Sequence, residues 1–461
     1  MKLMNEQRQK QQIALPLKPE GTGATRYLEQ GVEARMTGHG TESPVIPEQL
    51  MEEVCERSNL EKALQRVVSN KGAPGVDGMT VYELREYLKT DWPAIREQIL
   101  SGTCKPNPVL RVEIPKPNGG KRKLGIPTVL DRFIQQAVMQ VLQRYWEPTF
   151  SKHSYGFRPN RRAQEAVRAA QGYVNEGYGY VVDIDLEKFF DQVNHDRLMG
   201  TLAKRVKDKR VLRLIRAYLN AGIMEDGLVR WEDRGTPQGG PLSPLLSNIV
   251  LDEWDRELEK RGHKFVRYAD DCNIYVRSQR AGERVMKSIS EFITRKLKLK
   301  VNEDKSAVGL PQERQILGFT ILNGKRVIRL ISPKAIKRFR ERIRKETRRS
   351  KATMQERIGR LTTYMRGWAG YYGFCETPST LRDLEAWVRR RLRCLIWTQW
   401  KDGRRYRELR RRGIGQWQAW NIANGAKGPW RASRSQAMAK LYPNDYFYKQ
   451  GLPKMTVWSL A

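Results

Sequence analysis

The stretch VRYADDCNIYV, residues 266–276, decides how the fold of this chain is interpreted. Apolar and β-branched residues flank the central Ala269-Asp270-Asp271, and this pattern predicts a β-hairpin that turns at the two acids. Adjacent carboxylates at the end of buried strands are costly unless a cation compensates their charge. The alternative is an exposed turn that is merely rich in aspartate, and these residues by themselves do not separate the two.

Two stretches upstream favour a site with clustered acids. Residues 181–191, VVDIDLEKFFD, predict a strand that ends at Asp185 and is followed by bulky aromatic residues. Residues 235–244, GTPQGGPLSP, predict a loop with an exposed backbone that leads into a helix. Nucleotidyl transfer is catalysed by two magnesium ions, and carboxylates are the hard oxygen ligands that hold them. The sequence therefore predicts that aspartates from separate strands converge.

The charge of the chain indicates a polyanionic partner. The 461 residues include 86 Lys plus Arg and 51 Asp plus Glu, which gives a formal net charge of +35. Lys and Arg neutralise phosphates and release counterions, and the 12 Trp and 18 Tyr residues supply rings on which bases stack. A solvated basic surface and binding to an anionic membrane are the alternatives, and nucleic acid is favoured over both.

Composition shifts along the chain predict four parts. Residues 1–44 are polar, show little apolar periodicity and are predicted to form a mobile leader. Residues 45–330 mix strand and helix patterns, including a hairpin over residues 108–127. Residues 331–400 are predicted to form helices dense in arginine. Residues 401–461 are rich in Arg and Trp and predict a small basic region that faces nucleic acid.

Cysteine usage and hydropathy indicate a reducing, aqueous compartment. The cysteines have no zinc-type spacing and are predicted to be free thiols; they are Cys55, Cys104, Cys272, Cys375 and Cys394. No apolar run has the length of a signal peptide or a membrane span, so no membrane partner is expected. The predicted location is cytosolic or nucleoid-associated.

The order of these motifs resembles the successive blocks of reverse transcriptases. The acidic strand comes first and is followed by TPQGGPLSP at 236–244, YADD at 268–271, LKVNEDKS at 299–306 and LGF at 317–319. The resemblance covers residues 50–325 and implies an α+β fold with the fingers and palm of a right-hand polymerase. An α-helical thumb or maturase domain and a small basic C-terminal DNA-binding region are expected to follow.

Carried over residue by residue, the resemblance implies an active site that uses two Mg²⁺ ions. Asp185, Asp270 and Asp271 resemble the family's catalytic, metal-binding carboxylates. The carbonyl oxygen of Leu186 resembles a further ligand of the ions. The block that resembles the primer grip comprises Leu317, Gly318 and Phe319.

The resemblance also implies which residues bind the incoming dNTP. Lys116 and Arg122 resemble the cations that grip the triphosphate. Phe190 resembles the aromatic gate beneath the sugar, where a 2′-hydroxyl would clash, and Gln238 resembles a residue that contacts the nucleotide. Lys305 resembles the group that protonates the departing pyrophosphate. The alternatives are a plain core side chain for Phe190 and a solvated surface for the cations.

Two features narrow the resemblance to reverse transcriptases encoded by group II introns. An N-terminal extension carries the loop KGAPGVDG at 71–78, and LTTYMRGWAGYY at 361–372 resembles the maturase region of that family. The pattern is most similar to the compact bacterial members that serve the IIC class. No cluster of paired cysteines and histidines is found, so cleavage of the second DNA strand is not expected.

This resemblance implies that the protein binds its host intron RNA, assists splicing and copies the RNA into DNA at an exon or target site during retrohoming. The predicted RNA contacts are Lys334, Lys337, Arg338, Arg342, Lys345 and Arg349. The predicted DNA contacts are Arg404, Arg405, Arg410 and Arg411.

The sequence leaves two other functions possible. A domesticated or defence-associated reverse transcriptase would keep the polymerase and act on other RNAs. A non-catalytic RNA-binding splicing factor is the second alternative. The retained Asp185 and YADD argue against it, because a protein freed from catalysis has no physical need for clustered acids.

Overall fold

The structure is a computed structural model that describes residues 46–115, 120–225, 228–230, 235, 239–348, 352–400, 402–425 and 428–460. The predicted leader, residues 1–44, lies outside the described residues, as do Lys116, Gln238 and Arg349. The backbone of Arg122 is described, but its side chain is not.

The chain forms two compact units that meet in sequence at Leu310 and Pro311. The first unit mixes helices and strands, and the second consists of one hairpin followed by helices. The change to a helical region was predicted near residue 330. The finer division of the chain at 44, 330 and 400 stays a prediction.

Ten helices and eight strands make up the described part of the first unit. The helices are α1 (Leu50–Val54), α2 (Arg57–Ser69), α3 (Leu84–Ser101), α4 (Val129–Trp146), α5 (Ala163–Asn175), α6 (Phe189–Gln192), α7 (His195–Ala203), α8 (Lys209–Leu219), α9 (Ser243–Lys260) and α10 (Gln279–Phe292). The strands are β1 (Val109–Pro115), β2 (Lys121–Ile126), β3 (Tyr180–Ile184), β4 (Ile223–Glu225), β5 (Leu228–Arg230), β6 (Lys264–Tyr268), β7 (Asp271–Val276) and β8 (Ala307–Gly309).

A four-stranded antiparallel sheet with the order β6-β7-β3-β8 carries the predicted acids. Val182 and Ile184 are fully buried in the hydrophobic core, and Cys272 and Ile274 of β7 join them there. Because alternate side chains of a strand point to opposite faces, Asp183 is directed away from that core. The predicted strand and the predicted hairpin at residues 266–276 are both confirmed.

The second sheet of the first unit has the order β2-β1-β4-β5. Its β1–β2 hairpin pairs Leu110 with Ile126 and Pro115 with Lys121, which confirms the hairpin predicted for residues 108–127. Helix α4 follows directly. The Thr128 hydroxyl caps it by accepting the Asp131 backbone N–H at 3.1 Å, and its apolar face is buried in the core.

The start of α2 differs from the sequence prediction. The spacing Ser58-Asn59-Leu60-Glu61 predicted a capping box, but the helix already begins at Arg57, and its N-cap residue Glu56 makes no side-chain capping bond. Asn59 is buried, and its Nδ2 donates to the carbonyls of Val54 at 3.0 Å and Ala137 at 3.1 Å. Glu61, the acid of the predicted box, instead accepts from Arg57 Nε at 2.9 Å, so the box does not form.

The second unit begins with the hairpin of β9 (Phe319–Asn323) and β10 (Val327–Ile331). Its helices are α11 (Pro333–Glu346), α12 (Met354–Tyr372), α13 (Pro378–Gln399), α14 (Asp402–Arg411), α15 (Gln416–Asn424), α16 (Pro429–Ala432), α17 (Gln436–Leu441) and α18 (Asn444–Lys449), followed by the 3-10 helix Met455–Leu460. A capping box of Thr353 and Glu356 opens α12. The last helix packs on α12 and α13, so the segment after residue 400 forms part of this unit's core.

Candidate active site

The first unit brings the predicted metal-binding acids to one edge of its acidic sheet. In the register between β3 and β7, Asp183 pairs with Asn273 and Ile184 pairs with Cys272. Asp185 follows β3 directly, and the turn of Asp270 lies between β6 and β7. The ends of adjacent strands therefore place Asp185, Asp270 and Asp271 together, although they are far apart in sequence.

The turn that carries two of these acids has an unusual backbone. Tyr268 pairs with Asp271 across a two-residue connection, and its first residue, Ala269, has a φ of 59°. This left-handed region is usually occupied by glycine in such turns. A buried alanine in this conformation indicates that its surroundings impose the shape of the turn.

The acids perturb one another electrostatically. Asp271 keeps some exposed surface, but desolvation by the surrounding protein, followed by the charges of Asp270, Asp185 and Asp183, raises its pKa to about 7. Lys305 partly compensates this charge, since its Nζ donates to Asp185 Oδ2 at 2.5 Å. That hydrogen bond in turn raises the pKa of Lys305. The structure therefore places Lys305 beside Asp185, and its role in the reaction stays a prediction.

The backbone around Asp185 is fixed by a second segment of the chain. The Asp185 N–H donates to Ser306 Oγ at 3.0 Å, and the Asp185 carbonyl accepts from the Asn302 N–H at 2.8 Å. Leu186 is buried and forms an isolated β-bridge with Val301. The segment that holds Lys305 thus also anchors Asp185 and the predicted carbonyl ligand.

The donors suit a hard divalent cation. Among the described residues, no three His, Cys, Asp or Glu side chains form an arrangement that could by itself hold a metal ion. The Lys305 ammonium occupies one oxygen of Asp185, and the neighbouring charges of Asp270 and Asp185 contribute, after desolvation, to the raised pKa of Asp271. Asp185, Asp270 and Asp271 are the residues that the sequence predicts to hold the metal, and this assignment stays a prediction. When bound, divalent ions there stabilise the attacking and leaving oxygens of nucleotidyl transfer.

The predicted nucleotide-contacting groups are partly described. Phe190 is half-buried and meets Phe189 edge-to-face, with ring centroids 5.3 Å apart. The loop that contains Gln238 begins at Gly235, whose N–H donates to the Val193 carbonyl at 2.9 Å and whose carbonyl lies 2.5 Å from His195 Nε2. The segment after Phe190 therefore holds the start of this loop. Lys116, Gln238 and the side chain of Arg122 lie outside the described part of the chain.

The far end of the same loop is held by the β1–β2 hairpin. A Cβ on Gly239 would lie 2.1 Å from the Gly125 carbonyl oxygen, so only glycine permits this approach. Gly125 belongs to β2, the strand that also carries Arg122. The structure thus places the predicted triphosphate-binding hairpin beside the predicted nucleotide-binding loop.

The predicted primer-grip residues belong to the second unit. Leu317 and Gly318 have φ values of 51° and 82°, and Phe319 starts β9 with its side chain buried. The Tyr371 hydroxyl donates to the Leu317 carbonyl at 2.8 Å, and Phe319 contacts a group of aromatic rings that includes Tyr372. This tight turn is well anchored, and its role at the primer stays a prediction.

Helix α11 presents the predicted RNA contacts. It buries Ala335, Phe339 and Ile343 and leaves a row of cations exposed: Lys334, Lys337, Arg338, Arg342 and Lys345. Ile336, although apolar and next to the buried Ala335, is only half-buried. Arg349 lies outside the described residues.

The arginines predicted to contact DNA differ in their exposure and in the partners they already have. Arg404, Arg410 and Arg411 are exposed, while Arg404 and Arg411 form ion pairs with Glu408. Arg405 is half-buried, because its Nε donates to the Trp400 carbonyl at 3.1 Å and its guanidinium lies over the Trp397 ring. The structure therefore uses Arg405 for packing within the second unit.

Exposed tryptophans lie next to these arginines. Trp417 and Trp420 of α15 are 79% and 60% exposed and lie three residues apart, hence on the same helical face. Trp430 is different, because the Arg390 guanidinium stacks over its ring at 3.9 Å. The sequence analysis did not identify Arg390 as a partner of Trp430.

Sequence analysis also missed a buried polar network beneath the acidic turn. Arg267 and Asp255 form an ion pair with both side chains 0% exposed, and Asn248 lies beside them. The sequence did offer one signal for this network: Arg267 lies in β6 directly after the apolar Phe265 and Val266. A charged residue in such a position needs a partner, since unpaired charge is rarely buried.

Other sequence predictions concern the whole chain. All five cysteines are free, as predicted. Within the described part of the chain, no helix has the length and hydropathy needed to cross a membrane.

Comparison with known protein families identifies two consecutive matches. Residues 114–321 match the family described as Reverse transcriptase (RNA-dependent DNA polymerase). Residues 336–413 match the family described as Group II intron, maturase-specific domain. The chain thus has a mixed α/β reverse transcriptase domain followed by a helical maturase region.

Individual relatives agree with this division. Protein YkfC of Escherichia coli K12 is 32% identical over 312 residues, which cover 59% of this chain and 82% of YkfC. Group II intron-encoded protein LtrA of Lactococcus lactis subsp. cremoris is 37% identical over 206 residues, which cover 44% of this chain and 34% of LtrA. The match therefore spans about a third of LtrA.

A weaker likeness exists to a solved structure. A chain of a partial Cas6-RT-Cas1–Cas2 complex aligns with 58% of this chain and 47% of its own length, at 23% identity and a TM-score of 0.36. That score is too low to carry an argument. The two consecutive domains and the match to most of YkfC show that the chain belongs to the family of group II intron reverse transcriptases and maturases.

Proposed function

We propose that this reverse transcriptase copies its host group II intron RNA into DNA by target-primed synthesis and assists the splicing of the same RNA. The carboxylate cluster of Asp185, Asp270 and Asp271 carries this proposal, because the strand ends place it together in a domain of the reverse transcriptase family. A basic helix in the maturase region supplies a separate surface for RNA.

The three carboxylates hold two Mg²⁺ ions in this proposal, with the Leu186 carbonyl as a further ligand. Divalent metal ions are general in the reverse transcriptase family. Carboxylate and carbonyl oxygens are hard donors, which suit Mg²⁺. Lys305 balances the charge of Asp185 and donates the proton that the departing pyrophosphate takes up.

The incoming dNTP lies against the β1–β2 hairpin and the loop that it contacts. Lys116 and Arg122 bind its triphosphate, Gln238 contacts the nucleotide, and the Phe190 ring excludes a 2′-hydroxyl. The close contact of Gly239 with Gly125 supports this arrangement, because it fixes the loop against the hairpin. Leu317, Gly318 and Phe319 serve as the primer grip of a right-hand polymerase.

The exposed cations of α11 bind the intron RNA in this proposal. Lys334, Lys337 and Arg338 are exposed, and none of them is needed to cover the buried face of the helix. Folded RNA is recognised largely by its shape and phosphates, which suits a row of cations on a rigid helix. Arg342, Lys345 and Arg349 extend the row.

The exon or target DNA contacts the end of the second unit. Arg404, Arg410 and Arg411 neutralise phosphates there, and Trp417 and Trp420 stack on exposed bases. The high exposure of both rings supports this role, since large aromatic side chains are seldom left so open without a partner.

We further propose that the protein serves a class IIC intron and is located in the bacterial cytoplasm with the nucleoid. The sequence pattern described above supports the first point. The net charge of +35 and the bacterial relative YkfC support the second.

Substitution of one acid tests the polymerase assignment. Asp270→Asn should abolish primer extension on an RNA template while leaving intron binding intact, because it removes a metal ligand and little of the basic surface. Asp196→Asn is the matched control, since it makes the same change at an exposed acid of α7. Full-length DNA from the Asp270→Asn variant would refute the assignment of Asp270 as a metal ligand. A wild-type protein that promotes splicing but never extends a primer would favour the non-catalytic splicing factor.

A further inference from the structure

A fully buried ion pair lies beneath the turn that carries Asp270 and Asp271. Arg267 of β6 donates through Nε to Asp255 Oδ1 at 2.6 Å and through Nη2 to Asp255 Oδ2 at 2.5 Å. Asp255 belongs to α9, and both side chains are 0% exposed. This fork-to-carboxylate geometry holds the guanidinium plane in one orientation.

The remaining nitrogen of the guanidinium points at the turn. Arg267 Nη1 donates to the Ala269 carbonyl at 2.8 Å and to Asn248 Oδ1 at 3.1 Å. Asn248 is also buried, and its Nδ2 donates to the Gly156 carbonyl at 2.9 Å. One buried network therefore joins β6 and α9 to the residue that precedes the acids and to the segment containing Gly156.

The segment containing Gly156 also packs against the turn. The His153 carbonyl accepts from the Arg267 N–H at 2.9 Å, and the Tyr155 N–H donates to the Arg267 carbonyl at 2.9 Å. A Cβ on Gly156 would lie 2.3 Å from the Ala269 nitrogen. Ala269 is thus held between Gly156 and the Arg267 guanidinium, in the left-handed conformation that an alanine rarely adopts.

Stability alone does not account for this ion pair. Desolvation offsets most of the attraction between buried charges, and apolar side chains of similar volume often replace such a pair without loss of stability. The group that no apolar side chain can replace is the donor to the Ala269 carbonyl. Its removal would leave a strained turn without its hydrogen bond.

We propose that Arg267, oriented by Asp255 and Asn248, is a positioning residue that sets the turn from which Asp270 and Asp271 bind metal. It acts through the Ala269 carbonyl and touches neither substrate nor metal. The proposal rests on the assignment of Asp270 and Asp271 as metal ligands. It does not depend on the intron or DNA target that the protein serves.

An apolar replacement of the pair separates positioning from packing. The double variant Arg267→Met with Asp255→Leu removes both charges and fills the space with apolar side chains, so it should fold and melt cooperatively. Amide hydrogen exchange at residues 268–272 should accelerate in the metal-free protein. Binding of Mn²⁺ alone, followed by electron paramagnetic resonance, should weaken about 10- to 100-fold, as is usual when support for metal ligands is lost. The Mg²⁺ concentration for half-maximal primer extension should rise in parallel.

Asp208→Asn is the control, at a buried acid in another part of the same unit whose ion-pair partner Arg210 is partly exposed. Asp208 bonds Arg210 and the Met51 N–H in the same unit, so its loss should lower the melting temperature. It should leave turn exchange and Mn²⁺ affinity unchanged. A double variant with wild-type turn exchange and wild-type Mn²⁺ affinity would overturn the proposal.

A second variant covers the case in which the double variant does not fold. Asn248→Ala removes one bond to the Arg267 guanidinium and one to Gly156, and it should change exchange and Mn²⁺ affinity in the same direction by a smaller factor. No change in either would equally contradict the proposal. If Asp270→Asn left Mn²⁺ binding intact, the ligand assignment would fail instead, and the exchange measurement would still report on positioning.

Discussion

Two adjacent phenylalanines, Phe189 and Phe190, differ in their exposure. Phe189 is 3% exposed and belongs to the hydrophobic core, whereas Phe190 is only partly buried and packs against that core. Gly235 lies against the Phe190 backbone, since a Cβ there would be 3.0 Å from the Phe190 carbonyl oxygen. In the proposed function, the exposed part of the Phe190 ring is the part that meets the nucleotide sugar.

Replacing Phe190 tests its role as a gate. Phe190→Val should raise the incorporation of ribonucleotides relative to deoxyribonucleotides by at least about tenfold, because the smaller side chain leaves space for a 2′-hydroxyl. Steady-state incorporation of matched rNTP and dNTP pairs gives this ratio. Phe189→Val is the control, and it should lower stability without a change in the ratio. An unchanged ratio in the Phe190 variant would make Phe190 a core side chain only.

Among the helices of the first unit, α8 depends on a buried acid at its start. Asp208 Oδ1 accepts the Arg210 N–H at 2.9 Å, and Asp208 Oδ2 accepts the Met51 N–H at 2.9 Å. Burial by itself would raise the pKa of Asp208, but the bonds from Arg210 and Met51 outweigh it and lower the pKa. The ionised form is thus favoured by folding.

The effect of Asp208→Asn on stability should depend on pH. At neutral pH we expect a loss of about 1 to 3 kcal/mol in the free energy of unfolding, the usual cost of losing buried hydrogen bonds to a charged group. A lowered folded-state pKa stabilises above the unfolded value of about 3.9, and this contribution disappears as pH falls through the folded-state pKa. Urea denaturation should therefore show the gap between wild type and variant narrowing below about pH 4. A gap independent of pH would contradict this account.

Helix α11 offers a direct test of RNA binding. Changing Arg338, Arg342 and Lys345 to Gln should weaken intron binding and lower the slope of log affinity against log salt by about one unit for each lost phosphate contact. The residues lie on the exposed face, so the fold should be preserved. Filter binding across a salt series measures both quantities.

A control for α11 removes the same number of charges from another exposed helix. Arg280, Arg284 and Lys287 of α10 are exposed in the first unit. Their change to Gln should affect intron binding less than the α11 variant does. Equal losses in the two variants would indicate a general effect of net charge, and α11 would then have no specific role.

For the molecule as a whole, the last segment cannot be treated as a detachable arm. Met438, Phe447 and Met455 are 0% exposed. The Met455 N–H donates to Glu385 Oε2 at 2.8 Å, which ties this segment to α13. Deletion from Lys401 would expose this core and remove two partners of the buried Glu385, the Tyr448 hydroxyl and the Met455 N–H, so point substitutions are the cleaner test of DNA binding.

Substitution of both exposed tryptophans should separate polymerisation from DNA insertion. Trp417→Ala with Trp420→Ala should reduce insertion of the intron into target DNA and leave primer extension on a supplied template near the wild-type rate, because both rings are exposed on α15. Tyr82→Ala, at an exposed ring of the first unit, is the control. Undiminished insertion by the double variant would remove α15 from the proposed DNA surface.

The sequence by itself determined the local elements and the chemistry at their ends. Alternation and paired acids predicted β3, the β6–β7 hairpin and its turn, because strand periodicity and the cost of buried charge act within a few residues. The order of the motifs predicted the reverse transcriptase and maturase family. These signals are local or sequential, so they can be seen without coordinates.

Only the tertiary structure decided which distant residues meet. It brought Asp255 and Asn248 to Arg267, joined Asn59 to the α4 backbone, and stacked Arg390 on Trp430. Residues so far apart in sequence share no periodic pattern. Which of them meet depends on the arrangement that buries apolar surface and gives buried polar groups their hydrogen-bond partners. That requirement acts on the whole packed unit and has no counterpart in a short stretch of sequence.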